Sequence, residues 1–250
     1  MEMSLPLTGE RTVPGIAEEN YWFRRHEAAY AALAPYCVDA LVLEAGCGEG
    51  YGADLLARVA RRVVAVDYDE PATRHARARY PAVNVLRTNL AVLPIRSATV
   101  DVVANFQVIE HLWDQEGFLA ECFRVLRPGG LLLVTTPNRL TFSPGRDTPL
   151  NPYHTRELAA SELSELLTEY TIEFLGGLHH GPRITALDAA HGGSLIQAQV
   201  DVVLGHLPGQ AEWPPELLAE VASISAEDFD LHADDVDASL DLVAVARRPA

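Results

Sequence analysis

One nine-residue stretch limits the fold of this chain more than any other: Glu44-Ala45-Gly46-Cys47-Gly48-Glu49-Gly50-Tyr51-Gly52. An apolar run, Ala40 to Leu43, precedes it and reads as a buried strand. A helical segment, Ala53 to Val59, follows it. Strand, glycine-rich turn and helix start make a unit in which a ligand can approach the backbone. Glycine carries no Cβ, and the first N–H groups of a helix lack partners. The next strand, Arg62 to Val66, leads into Asp67, a carboxylate able to accept both hydroxyls of a ribose. Together these features point to a nucleoside pocket at the carboxyl edge of a parallel sheet.

The turn also discriminates between ligands. A dinucleotide fingerprint needs glycines in the pattern G-x-G-x-x-G. Gly46 and Gly48 fit it, but Tyr51 stands in the third place. The spacing Glu-x-Gly-x-Gly-x-Gly, from Glu44 to Gly50, resembles motif I of the class I S-adenosylmethionine-dependent methyltransferases. Three further segments resemble the same family. They are the turn Leu126-Arg127-Pro128-Gly129-Gly130, the run Asp101 to Phe106 continuing through Gln107-Val108-Ile109-Glu110-His111, and Thr88-Asn89-Leu90 with Leu93-Pro94. The resemblance implies S-adenosylmethionine as cofactor. It puts Glu44, Gly46, Gly48 and Gly50 beside the methionine part and Asp67, followed by Tyr68, on the ribose. Asn89 and Leu90 would cup the adenine, and Gln107 would complete the set. Many relatives carry aspartate where Asn89 stands; an amide oxygen can still accept from the adenine amino group. The bland alternative is a glycine turn that only packs helix on strand. An NAD-dependent oxidoreductase, disfavoured by Tyr51, and a catalytically silent cofactor-binding module are the rivals from other classes.

Strand and helix patterns alternate from Ala40 onward, which predicts an α/β domain. By resemblance the fold is Rossmann-like. Expected is a seven-stranded, mostly parallel sheet with helices on both faces and a long insertion, 176–238, between the last two strands, 171–175 and 241–246. The 250 residues suffice for one domain. Its parts are an N-terminal arm and helix acting as a lid (1–36), a cofactor-binding core (37–137) and an acceptor-side half (138–250). A net charge of −16 argues against a nucleic-acid partner. No apolar run approaches the roughly 20 residues of a membrane helix, and Met1 to Asn20 lacks the pattern of a signal peptide. A cytoplasmic protein is expected, and a homodimer is left open. Cys37, Cys47 and Cys122 form neither a disulfide framework nor a metal pattern. All 19 basic residues are arginine, which hints at a GC-rich bacterial genome such as an actinobacterium's.

Methyl transfer from a sulfonium is an in-line displacement, with the acceptor atom held about 3 Å from the methyl carbon. A hydroxyl acceptor also needs a general base, for which histidine is suited. His154, in Asn151-Pro152-Tyr153-His154-Thr155-Arg156-Glu157, is the first candidate; it follows the loop after strand five. His111, after strand four, is the second. His26, Tyr21 and Trp22 on the arm, Tyr153, and His180 after strand six are candidate acceptor contacts. For each the alternative is core packing or loop geometry. No metal-ligand set stands out, although a divalent cation such as Mg is allowed for. The arm and the His154 segment resemble actinobacterial enzymes that methylate mannosides during polysaccharide synthesis. That resemblance implies a small-molecule sugar acceptor; a phenolic, quinone-like or polyketide acceptor is the alternative.

Overall fold

A computed structural model describes residues 12–204 and 212–250. The N-terminal part of the expected lid, residues 1–11, lies outside the described residues. Helix α1 (Asn20–Leu33) precedes a β/α series: β1 (Leu41–Ala45), α2 (Tyr51–Ala57), β2 (Arg62–Asp67), α3 (Glu70–Arg79), β3 (Asn84–Arg87) and β4 (Val100–Phe106). Then come α4 (Gln115–Val125), β5 (Leu126–Pro137), α5 (Arg139–Phe142), α6 (Ala160–Leu166) and β6 (Thr171–His180). The chain ends with α7 (Pro182–Ala190), α8 (Leu195–Leu204), α9 (Pro215–Ser223), β7 (Phe229–His232) and β8 (Asp241–Arg247).

Eight strands form one sheet in the order β3-β2-β1-β4-β5-β8-β6-β7. The expectation of seven is corrected. The additional strand, β7, comes from the 176–238 segment and pairs antiparallel with the carboxyl end of β6. That end reaches His180, so β6 runs five residues beyond the expected 175. The segment Arg127–Gly130, expected as a turn, is an excursion within β5: Val100 pairs with Leu126 and Val102 with Leu131.

Strands β1, β4, β5 and β8 carry near-continuous apolar runs because both sheet faces are covered. Successive side chains alternate between two cores. Val42, Val102, Leu133 and Val243 pack under α1, α2 and α9 through Leu33, Leu56 and Val221. Leu43, Val103, Leu132 and Val134 pack under α4 and α6 through Phe118, Cys122 and Leu163. The order reverses between β1 and β4, which are paired in parallel through Val42–Val102. In open α/β sheets a ligand crevice forms outside the carboxyl ends of the strands at such a point.

Candidate active site

The loops after β1 and β4 touch at that switch point. Gly46 lies at φ +90°, and a Cβ there would sit 2.5 Å from a Val108 methyl. Gly48, at φ +50°, is different: a Cβ would meet nothing within 4 Å, so its backbone borders open space. Its N–H donates to Asp67 Oδ2 at 2.8 Å, and Asp69 N–H donates to Oδ1 at 2.9 Å. Asp67 therefore ties the glycine loop to the end of β2. Glu49 is buried, with Oε1 2.7 Å from His75 Nε2 and Oε2 accepting from the Tyr80 hydroxyl at 3.0 Å. It fastens the same loop to α3. Glu49 and His75 had no motif to mark them.

Glu44 is fully buried at the carboxyl end of β1. Oε1 accepts from the Tyr30 hydroxyl at 2.6 Å, while Oε2 has no hydrogen-bond partner among the described residues. Burial lifts its carboxyl to about 8, against a hydrogen bond from Tyr30 that favours ionisation. Tyr51, the residue that breaks the dinucleotide pattern, brings its hydroxyl within 3.1 Å of both Thr12 Oγ1 and His26 Nδ1. Burial pulls His26 down to about 4, so it is neutral at pH 7. Gln107, just after β4, adopts φ +57°, uncommon for a residue with a Cβ. It is held there by its N–H to Thr135 O at 2.9 Å. Leu90 is buried, whereas Asn89 and Tyr68 are exposed. Asn89 Oδ1 accepts from Ala91 N–H at 2.9 Å.

A second cluster lies on the loops after β4 and β5. Asn151 Oδ1 accepts from Tyr153 N–H at 3.0 Å, which turns its Nδ2 toward His154 Nε2, also at 3.0 Å. Nε2 is thus the acceptor, and Nδ1–H donates to Glu157 Oε1 at 2.7 Å. Glu157 is buried and its Oε2 is unpartnered among the described residues. His111 packs edge-on against His154, 4.8 Å between centroids, and its Nδ1–H donates to Tyr153 O at 3.0 Å. Glu110 accepts from Thr136 Oγ1 at 2.9 Å, and burial lifts it to about 8. Glu110, His111 and His154 offer ligand atoms within 4.8 Å of one another. Both His154 nitrogens and His111 Nδ1 are already hydrogen-bonded, so a cation would have to displace one of these partners. Glu157 was legible beside His154 in the sequence, three residues on.

Tyr21 and His180 meet away from this cluster, under α1. Tyr21 is fully buried and its hydroxyl donates to His180 Nε2 at 2.6 Å; His180 Nδ1–H donates to Asp188 Oδ2 at 2.6 Å. Burial lowers the pKa of His180 and raises that of Tyr21. Next to them Arg25 makes a bidentate, buried ion pair with Asp241, at 2.7 and 2.5 Å. Trp22 is half-buried against Arg25, and Tyr153 is 46% exposed on its loop.

Comparison with known proteins gives this geometry its meaning. The family described as "Methyltransferase domain" matches residues 43–134, from β1 almost to the end of β5. The "Probable S-adenosylmethionine-dependent methyltransferase" of Mycolicibacterium smegmatis is 61% identical over 98% of this chain and 96% of its own length. A ubiquinone biosynthesis O-methyltransferase of Methylocella silvestris is 39% identical over 39% of this chain and 40% of its own. A crystal structure of an S-adenosylmethionine-dependent methyltransferase from Mesorhizobium loti shares the fold. Its TM-score is 0.56 at 18% identity, covering 94% of this chain and 99% of that one. The chain belongs to the S-adenosylmethionine-dependent methyltransferases, class I.

Proposed function

We propose that this methyltransferase acts on a hydroxyl of a small sugar, a mannoside precursor of a methylated polysaccharide, with a histidine as general base. S-adenosylmethionine supplies the methyl group as a sulfonium. On this reading Gly46, Gly48, Gly50 and Glu44 surround its amino-acid end, Asp67 and Tyr68 its ribose, Asn89 and Leu90 its adenine. Gln107 lines the same crevice. The single chain folds as one domain, with residues 37–137 holding the cofactor and 138–250 shaping the acceptor side. The observation that carries the reading is the His154–Glu157 pair, 2.7 Å apart. A carboxylate behind Nδ1–H orients the imidazole and stabilises it once protonated, leaving Nε2 as the basic atom. An acceptor hydroxyl takes the place of the Asn151 amide at Nε2 and passes its proton there as oxygen attacks the methyl carbon. When bound, S-adenosylmethionine would supply the leaving group, its sulfur taking the bonding pair so that S-adenosylhomocysteine and a methyl ether result. His111, edge-on to His154, and Tyr153 border the acceptor, with His26 and Trp22 as the further contacts expected from α1. Tyr21, which is buried, and its partner His180 act by holding α1 on β6.

The partial likeness to a ubiquinone biosynthesis O-methyltransferase favours a second reading, a phenolic acceptor. Labelled cofactor with a panel of mannosides and phenols separates the two. Mannosides methylated at least tenfold faster sustain the sugar assignment; the reverse order removes it.

A further inference from the structure

Trp113 is 92% exposed, the highest value for a large apolar side chain among the described residues. It stands two residues beyond His111, where β4 passes into α4. Beside it is a cleft of about 120 Å³ lined by Leu112, Trp113, Asp114, Gln115, Glu116 and Arg156. The walls are held by bonds that leave the indole uncovered. Thr155 Oγ1 donates to Leu112 O at 2.7 Å and to Glu110 O at 3.0 Å. Gln115 Nε2 donates to Ile109 O and Arg156 O at 3.0 and 2.9 Å. Asp114 Oδ1 caps α4 by accepting from Gly117 N–H at 2.8 Å. His111 and Tyr153 join the same two loops, so the cleft and the cluster around His154 are built on the same pair of segments.

We propose that Trp113 and this cleft form an outer saccharide subsite, taking a second sugar unit of an acceptor whose nearer unit is methylated. The assignment rests on the sugar reading above. A pyranose offers one face of C–H bonds to an aromatic plane and a rim of hydroxyls to polar groups. The cleft supplies the indole, two carboxylates and a guanidinium. Glu116 and Arg156 give the cleft a carboxylate and a guanidinium, the latter also within electrostatic reach of Glu162. An apolar partner fits worse, because covering Trp113 would strip water from Asp114, Glu116 and Arg156 without replacing it. An anionic membrane surface fits worse as well, given those carboxylates and a net charge of −16.

The test compares the wild type with Trp113→Ala, using methyl α-mannoside and mannotetraose as acceptors and mannotetraose alone in calorimetry. Loss of an aromatic stacking contact is expected to raise the ratio of the mannotetraose KM to the methyl α-mannoside KM roughly tenfold and to weaken mannotetraose binding by a similar factor. The kcat on mannotetraose is kept. Equal KM ratios and equal binding in the two proteins overturn the subsite. Should the wild type bind mannotetraose through Trp113 yet methylate no sugar, the cleft holds saccharide but serves no acceptor, and the subsite falls with the sugar reading. If sugars are methylated and the substitution changes nothing, the subsite alone falls. Absence of both binding and turnover removes the two together.

Discussion

Residues 41–137 and the proposed acceptor side are built by opposite strategies. Around the glycine loop the decisive polar contacts join near neighbours in sequence: Glu44 to Tyr30, Gly48 to Asp67, Glu49 to His75. On the other side the His154–Glu157 pair is itself local, but the contacts that hold α1 in place span the chain. Arg25 pairs with Asp241, Tyr21 with His180, and the Asn20 amide donates to Val221 O and Ile224 O at the end of α9. The first arrangement needs only the end of α1 and the first two β/α repeats. The second exists only when α1, β6, β8 and α9 are all in place. A nucleoside site of fixed shape can thus be carried by nearby sequence, while the seating of α1 on β6, β8 and α9 depends on the whole fold.

The sharpest way to break this comparison is Arg25→Ala. It leaves Asp241 charged and buried, which costs about 3–5 kcal/mol in comparable cases. Urea unfolding should show that loss, and a cost below 1 kcal/mol would mean the long-range pairs are incidental. Next comes His154→Ala, for which kcat should fall by about 10²-fold or more. Calorimetric affinity for S-adenosylhomocysteine should stay within about twofold, since the base lies outside the nucleoside site. Unaltered kcat with an unaltered pH profile transfers the base role to His111. Tyr30→Phe is smaller. It removes a hydrogen bond to Glu44 worth about 1.5 kcal/mol, so cofactor affinity should weaken roughly tenfold with little change in acceptor KM.

The smallest effect is a proton count. Glu44 and Glu110 titrate near 8 in the folded chain, against an ordinary 4.5. Their folded values are raised, so the stability they contribute is fully present below pH 4.5. It is lost as pH rises through 8. The urea midpoint should therefore decline across that window, and Glu44→Gln should flatten the decline. An ammonium placed beside Glu44 by the cofactor would favour the carboxylate. Binding at pH 7 should then release up to about one proton, read from calorimetry in buffers of different ionisation enthalpy. No release in the wild type would remove the cofactor's amino group from Glu44's neighbourhood.

Much of the fold was legible where pattern is local. The apolar runs of β1, β2, β4 and β5, the glycine spacing and Asp67 each announce themselves within a few residues. β7 did not, because Phe229-Asp230-Leu231-His232 is a short edge strand whose alternation is shared by many loops. The starts of α7 and α9 carried a signal, a proline in the first turn, but their faces depend on what they cover. Of the candidate site, His154 and Glu157 were visible together at a spacing of three. Arg25 and Asp241 were not, since nothing in sequence marks two residues that far apart as partners. Tyr21 and Trp22 read as binding aromatics, yet Tyr21 is sealed in the core, while Trp113, which no pattern marked, faces water.

β8 follows every other strand along the chain, yet it lies inside the sheet, hydrogen-bonded to β5 on one side and β6 on the other. During synthesis the growing polypeptide must therefore carry two unsatisfied strand edges until β8 is made. Such edges invite pairing with other chains. Completion of the sheet is a single late insertion, and damage to a few residues near Asp241–Arg247 would reopen the middle of the protein rather than fray its border.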